Sequence, residues 1–217
     1  VIESWLNTLA PKDQRGRVFS IYLFVSFMAL AVGQWLILVG DSMGFVPFAM
    51  VSVLLSFALL PITLAPVTQP DAVEPPRLSI SSLWLATPLG VSGAFASGLI
   101  SSAFFGLGAV FAQRVGFDAT GVASFMAATI VGGALFQWPV GHYSDRIDRR
   151  KVLLLALVGA VMLGVVAYVF ALTITWALVP LGFLLGGVLF TVYGLSVAHA
   201  NDMVDPSRTL EITGGLL

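Results

Sequence analysis

Side chains capable of chemistry are few in these 217 residues, and their spacing excludes most of what they could do. There is no cysteine, so a disulfide framework, a thiolate metal site and a thiol nucleophile are all ruled out. The two histidines, His142 and His199, lack a second ligand at metal-binding spacing, and each reads as a solvated or capping imidazole at a loop edge. No carboxylate pair suited to general acid–base work, no Ser-His-Asp set and no phosphate-cradling glycine loop can be assembled. Gly132-Gly133 and Gly186-Gly187 suit close helix crossings better than a nucleotide. The expectation is a protein that is not an enzyme and needs no cofactor or metal.

Uncharged polar groups inside long apolar runs are the more informative set. A polar group in hydrocarbon must find an internal partner or line water. Gln34 and Gln137, each beside a tryptophan (Trp35, Trp138), together with Tyr193 and Ser92, are therefore the candidates for a substrate cavity. Close packing is the competing role for Ser92, Ser97, Ser101 and Ser102, and hydrogen bonding at the membrane interface is the competing role for the two glutamines. No Asp, Glu, Lys or Arg lies deep inside any of these runs. A titratable group for ion coupling is visible only at the edges, as Glu3 and Asp202.

The elements that must position these groups follow from composition. The chain is 58% hydrophobic and only 10% charged, against about 25% charged in soluble domains. A lipid solvent accounts for that surplus. With about 20 apolar residues needed per crossing, six complete spans emerge, approximately Phe19 to Val39, Phe45 to Ala65, Leu83 to Ala109, Gly121 to Val140, Val152 to Leu172 and Trp176 to Val197. The third is overlong and contains Pro88, Gly90, Gly93 and Gly98, which predicts tilt or a kink. Val1 to Leu9 reads as the tail of an earlier span and Glu211 to Leu217 as the start of a later one, so the chain reads as a fragment. A net charge of −1 provides no basic field for nucleic acid.

Lys12, Arg15, Arg17, Arg77, Arg146, Arg149, Arg150, Lys151 and Arg208 all fall in loops on one side, and only Arg114 on the other. The positive-inside rule makes the basic side cytoplasmic, with loops 10–18, 66–82, 141–151 and 198–210 on it. Residues 66–76 hold four prolines with Asp71 and Glu74, an extended, solvated composition that reads as a linker between two membrane halves.

Gly141-His142-Tyr143-Ser144-Asp145-Arg146-Ile147-Asp148-Arg149-Arg150-Lys151 resembles the loop signature of the major facilitator superfamily: Gly, three residues, Asp, a basic residue, any residue, Gly, then a basic cluster. Gly141 would allow a tight exit from the bilayer, and the basic run would anchor the next helix at lipid headgroups. Asp148 stands where the family has Gly. Asn7, Pro11 and Arg15 are echoed by Asn201, Pro206 and Arg208, consistent with the family's parallel repeats. Glu3-Ser4-Trp5-Leu6-Asn7 and His199-Ala200-Asn201-Asp202 are similar to segments of a little-characterised bacterial subfamily of transporters.

The resemblance implies an all-α, polytopic membrane helix bundle, part of a twelve-helix fold of two six-helix halves. The visible part would run from the end of helix 4 to the start of helix 11, without helices 1 to 3 and 12. Residues 1–65 would close the N-terminal half, 66–81 form the cytoplasmic linker, and 82–217 hold helices 7 to 10 and the start of 11. The implied function is secondary active transport of a small solute by alternating access, in a bacterial cytoplasmic (inner) membrane, with a proton or other ion as coupling partner. The alternative is a non-transporting sensor or scaffold on the same fold. Gly141, Asp145, Arg146, Arg149 and Arg150 would form the gating loop, Asp145 meeting the positive end of helix 11 when the cytoplasmic side is closed.

Overall fold

The computed structural model describes residues 15–41, 44–64, 80–171 and 173–203. The partial first span, the proline-rich linker up to position 79, and the segment from 204 onward lie outside the described residues, and Glu3, Arg77 and Arg208 with them. The chain divides into two compact units, Val1–Glu74 and Pro75–Leu217. Every regular element among the described residues is helical.

In the first unit, α1 (Arg15–Leu36) and α2 (Phe45–Leu64) are apolar helices. The helix α1 closes earlier than the hydropathy run suggests, because Leu38 and Val39 donate to Trp35 and Leu36 in a terminal turn. Gly40 then takes φ 151°, a backbone conformation that glycine adopts without strain. Along the backbone α1 has 22 residues and α2 has 20, about the length of one crossing. Among the described residues, four of the six expected spans are long and apolar enough throughout to cross a membrane: Pro88–Arg114, Ala119–Ser144, Arg149–Ala171 and Thr175–Ala200.

Those four belong to the second unit, made of α3 (Ile80–Ala86), α4 (Pro88–Arg114), α5 (Ala119–Ser144), α6 (Arg149–Ala171), a 3-10 turn (Thr175–Ala177), α7 (Leu178–Leu189) and α8 (Thr191–Asp202). The overlong third run is broken at Thr87, whose φ and ψ of −149° and 75° are non-helical, and Pro88 opens α4. Proline lacks an N–H and pushes its predecessor out of helical geometry, so the break falls where the sequence dictates. At the other end of the unit Asp118 caps α5, its carboxylate accepting from the Gly121 N–H at 2.8 Å.

Burial separates central from flanking helices. Of the most apolar stretches, 44% of α5 and of the α7–α8 rod is buried, against 6% of α4 and 11% of α6. The crossing of α5 and α7 is glycine-built: a methyl at Gly132 would overlap the Phe183 carbonyl, and one at Gly186 the Thr129 carbonyl. Close approach of two backbones is what small residues permit in a membrane, where no hydrophobic force drives helices together. The α4–α8 contact uses the same device, Gly90 and Gly93 lying against Ser196 and Ala200. Elsewhere the surface is strongly apolar, with Phe95 at 70% and Trp138 at 77% exposure.

Candidate functional site

The charged loop gathers at one end of the second unit, where α5 ends, α6 begins and α8 ends. The helix α5 runs on to Ser144, so Gly141 lies inside it and is not a tight exit; no positive φ is needed there. The Gly141 carbonyl accepts from the Ser144 hydroxyl at 2.7 Å and the Asp145 N–H at 3.1 Å, which finishes the helix. Asp148, in place of the family's glycine, starts the next one: its Oδ1 accepts from the Arg150 N–H at 2.9 Å. That is N-cap chemistry, which an aspartate supplies and a glycine side chain cannot.

Arg149, on the first turn of α6, is the hub. Its Nη2 pairs with Asp145 Oδ1 at 2.9 Å, its Nε donates to Asp202 Oδ2, and its Nη1 reaches the Ser144 hydroxyl at 3.3 Å. Ser144 is buried and Arg149 half-buried, while the two carboxylates are largely exposed. Each ion pair with so exposed a partner contributes at most about 1 kcal/mol. The arrangement can therefore tie α6 to α8 and still let go. Arg146 and Arg150 are exposed. The start of helix 11, the partner that the resemblance gives Asp145, lies outside the described residues.

The histidines differ from one another. His142 is exposed and stacks on Trp138, ring centroids 5.8 Å apart and planes within 5°. His199 is buried, which removes the solvated one of its two expected roles, and it lies in the last turn of α8, which continues to Asp202. With Ser144, Asp145, Asp148, Arg149, Arg150 and Asp202 it lines a cavity of about 490 Å³. The sequence offered one signal for this, the i,i+3 spacing of His199 and Asp202.

The cavity candidates are spread over both units. Gln34, in the first unit, is half-buried and its Nε2 donates to the Leu30 carbonyl of its own helix at 3.4 Å. Gln137 and Tyr193 are half-buried in the second unit. Ser92 is exposed, and its hydroxyl bonds Pro88 and Leu89 carbonyls one turn back. Sequence reasoning passed over an aromatic cluster in which Phe104, Phe105 and Phe190 stand 5.2 to 5.9 Å apart, Phe190 lying where α7 gives way to α8.

Comparison with known proteins agrees with this architecture. The sequence pattern of the Major Facilitator Superfamily matches residues 1–214. Similar proteins include an uncharacterized MFS-type transporter of Yersinia enterocolitica, 27% identical over the whole chain and 56% of the relative. The uncharacterized MFS-type transporter YcaD of Escherichia coli is 28% identical, and that of Salmonella paratyphi B 27%, over the same shares. The chain thus spans about half the length of the curated relatives it matches. No solved structure matches it. A family match across nearly every residue, on membrane-length apolar helices, places this chain in the Major Facilitator Superfamily of membrane transporters, within a poorly characterised bacterial branch.

Proposed function

We propose that the protein is a secondary active transporter that moves a small solute across a bacterial inner membrane by alternating access. The family match over residues 1–214 carries this reading. In it, residues 1–65 close the N-terminal half, 66–81 link the halves, and 82–217 belong to the C-terminal half. In this reading the loops at 10–18, 66–82, 141–151 and 198–210 face the cytoplasm, which the concentration of Lys and Arg in them supports. Gln34, Gln137, Tyr193 and Ser92 are the side chains that would offer hydrogen bonds to the solute. The Arg149 hub is the contact that holds in one state and releases in the other, since rocking carriers need contacts whose free energy differs between states. Transport rather than catalysis is the activity, with lipid, solute and a coupling ion as partners.

The test is solute flux. Full-length protein is placed in vesicles loaded with a mixed-metabolite panel, and efflux is followed by mass spectrometry with and without a proton gradient. Protein-dependent loss of at least one solute supports transport. Folded, inserted protein that moves none of them would replace this reading with a sensor or scaffold.

A further inference from the structure

Among the described residues His199 is the one titratable side chain that is buried, at 6% exposure. It sits in the wall of the cavity at the end of α5, α6 and α8, and that cavity's rim carries exposed Asp145, Asp148 and Met203. Charge surrounds it unevenly. Arg149 and Arg150 act on it from the first turn of α6, Asp148 from the turn before, and Asp202 from one turn further along its own helix. Helix α4, packed on α8 through Gly90 and Gly93, is preceded by the neutral Thr87 next to Gly90, and α5 brings the neutral Ser144 to the cavity. With a neutral imidazole, the cavity holds three carboxylates (Asp145, Asp148, Asp202) and two guanidiniums (Arg149, Arg150), a net charge of −1.

We propose that His199 binds the coupling proton of the transport cycle, and that the proton acts by competing with Arg149 for Asp202. The proposal rests on the transport reading above and adds the identity of the ion and its seat. One proton brings the cavity to neutrality, and the cavity's open rim gives water a way to deliver it. The new imidazolium needs a carboxylate, and Asp202 lies on the same helical face at i,i+3. Arg149 keeps Asp145 when it loses Asp202, so no guanidinium is stranded. The tie from α6 to α8 then opens. Histidine is the side chain whose charge ordinarily changes between about pH 5 and 8; burial first and then the Arg150 guanidinium lower the pKa of His199 from its ordinary value, against the pull of Asp202 and Asp148, so it takes its proton at a lower pH than a free imidazole.

The probe is a single cysteine at Met203, a half-exposed rim residue, in otherwise cysteine-free full-length protein in detergent. Its maleimide labelling rate is measured from pH 8 to 5.5 and divided at each pH by the rate for the same protein unfolded in SDS. The normalised rate should rise about fivefold as pH falls, the shift that one ion pair of about 1 kcal/mol carries. His199→Gln should hold it flat at the closed value. Asp202→Asn, which alters an exposed carboxylate, should hold it flat at the open value, and it keeps the test decisive if Gln is not tolerated at the buried site. A flat wild-type profile, or a pH response surviving in His199→Gln, overturns the proposal. Solute flux separates the two readings: flux with flat labelling removes His199 alone, whereas a His199-dependent response without any flux removes the coupling role together with transport.

Discussion

Gly186→Ala should loosen the second unit, because its α-hydrogen faces the backbone of α5. A methyl there would overlap the Thr129 carbonyl oxygen and come within 2.7 Å of its carbon, and a methyl at Gly132 would meet Phe183 at the same 2.7 Å. Ordinary carbon contacts begin at 3.4 Å, so the helices must part by at least 0.7 Å (3.4 − 2.7). They cannot part at that point alone, since Gly187 packs on Phe136 and Gly133 on Phe190 along the same seam. Overpacking of this kind destabilises by about 1 to 3 kcal/mol. Exchanging glycine for alanine in a helix returns about 1 kcal/mol at most. A net loss of up to about 2 kcal/mol is expected for either substitution, and less than the sum for both, because one separation relieves both clashes. Gly159→Ala and Gly164→Ala on α6, where a methyl meets nothing within 4 Å, should be neutral or stabilising. Melting of full-length protein in detergent, read by size exclusion, gives the comparison. Equal melting temperatures for Gly186→Ala and Gly159→Ala would show that the two backbones do not meet where the geometry says they do.

Asp118→Ala, which strips the cap of α5, should lower stability by about 1 kcal/mol while Asp118→Asn leaves it unchanged, both measured by the same melt. Thr87 is buried at the helix break with no partner for its hydroxyl, so Thr87→Val should raise the melting point and Thr87→Ser leave it alone; a fall with Val would mean that the hydroxyl is bonded. An alkaline phosphatase fusion near Asp118 should be active in the periplasm and one near Glu74 inactive; the reverse pattern would invert the topology.

Hydropathy alone made the spans legible, since length and apolarity are properties of each segment by itself. Which faces meet was harder to read, because α5 and α7 are apolar all round and carry no stripe to mark an inner side. The glycines were the available signal: Gly182 and Gly186, four apart, share one face, and both lie against Thr129. The Arg149 hub was half-legible. Asp145, Arg149 and Asp202 each stood out as charges at a membrane edge, but the bond joining Arg149 to Asp202 spans 53 residues and depends on how α6 and α8 pack. The burial of His199 was not legible for a related reason. Charge counting ends the helix at Val197, whereas the backbone stays helical to Asp202, and small neighbours at Gly90, Ser196 and Ala200 let α4 close over that end.

The second unit therefore joins its helices in two physically different ways. Along α5 and α7 the contact is backbone against backbone through glycine, where sliding by a fraction of an ångström meets a carbonyl and the free energy rises steeply. Between α6 and α8 at the cavity, the tie is one guanidinium shared by two exposed carboxylates, each link worth at most about 1 kcal/mol and replaceable by water. A chain that must change shape without unfolding needs both. Motion should concentrate at the weaker joint, so α8 should move at its Asp202 end relative to α6 while α5 and α7 travel as one body. Spin labels on Trp138 and Leu184, both exposed and on the two crossed helices, should keep a fixed separation through any pH-driven change that alters labelling at Met203. A separation that changed in step with Met203 would put the moving joint at the glycine seam and leave the Arg149 hub as a passive anchor.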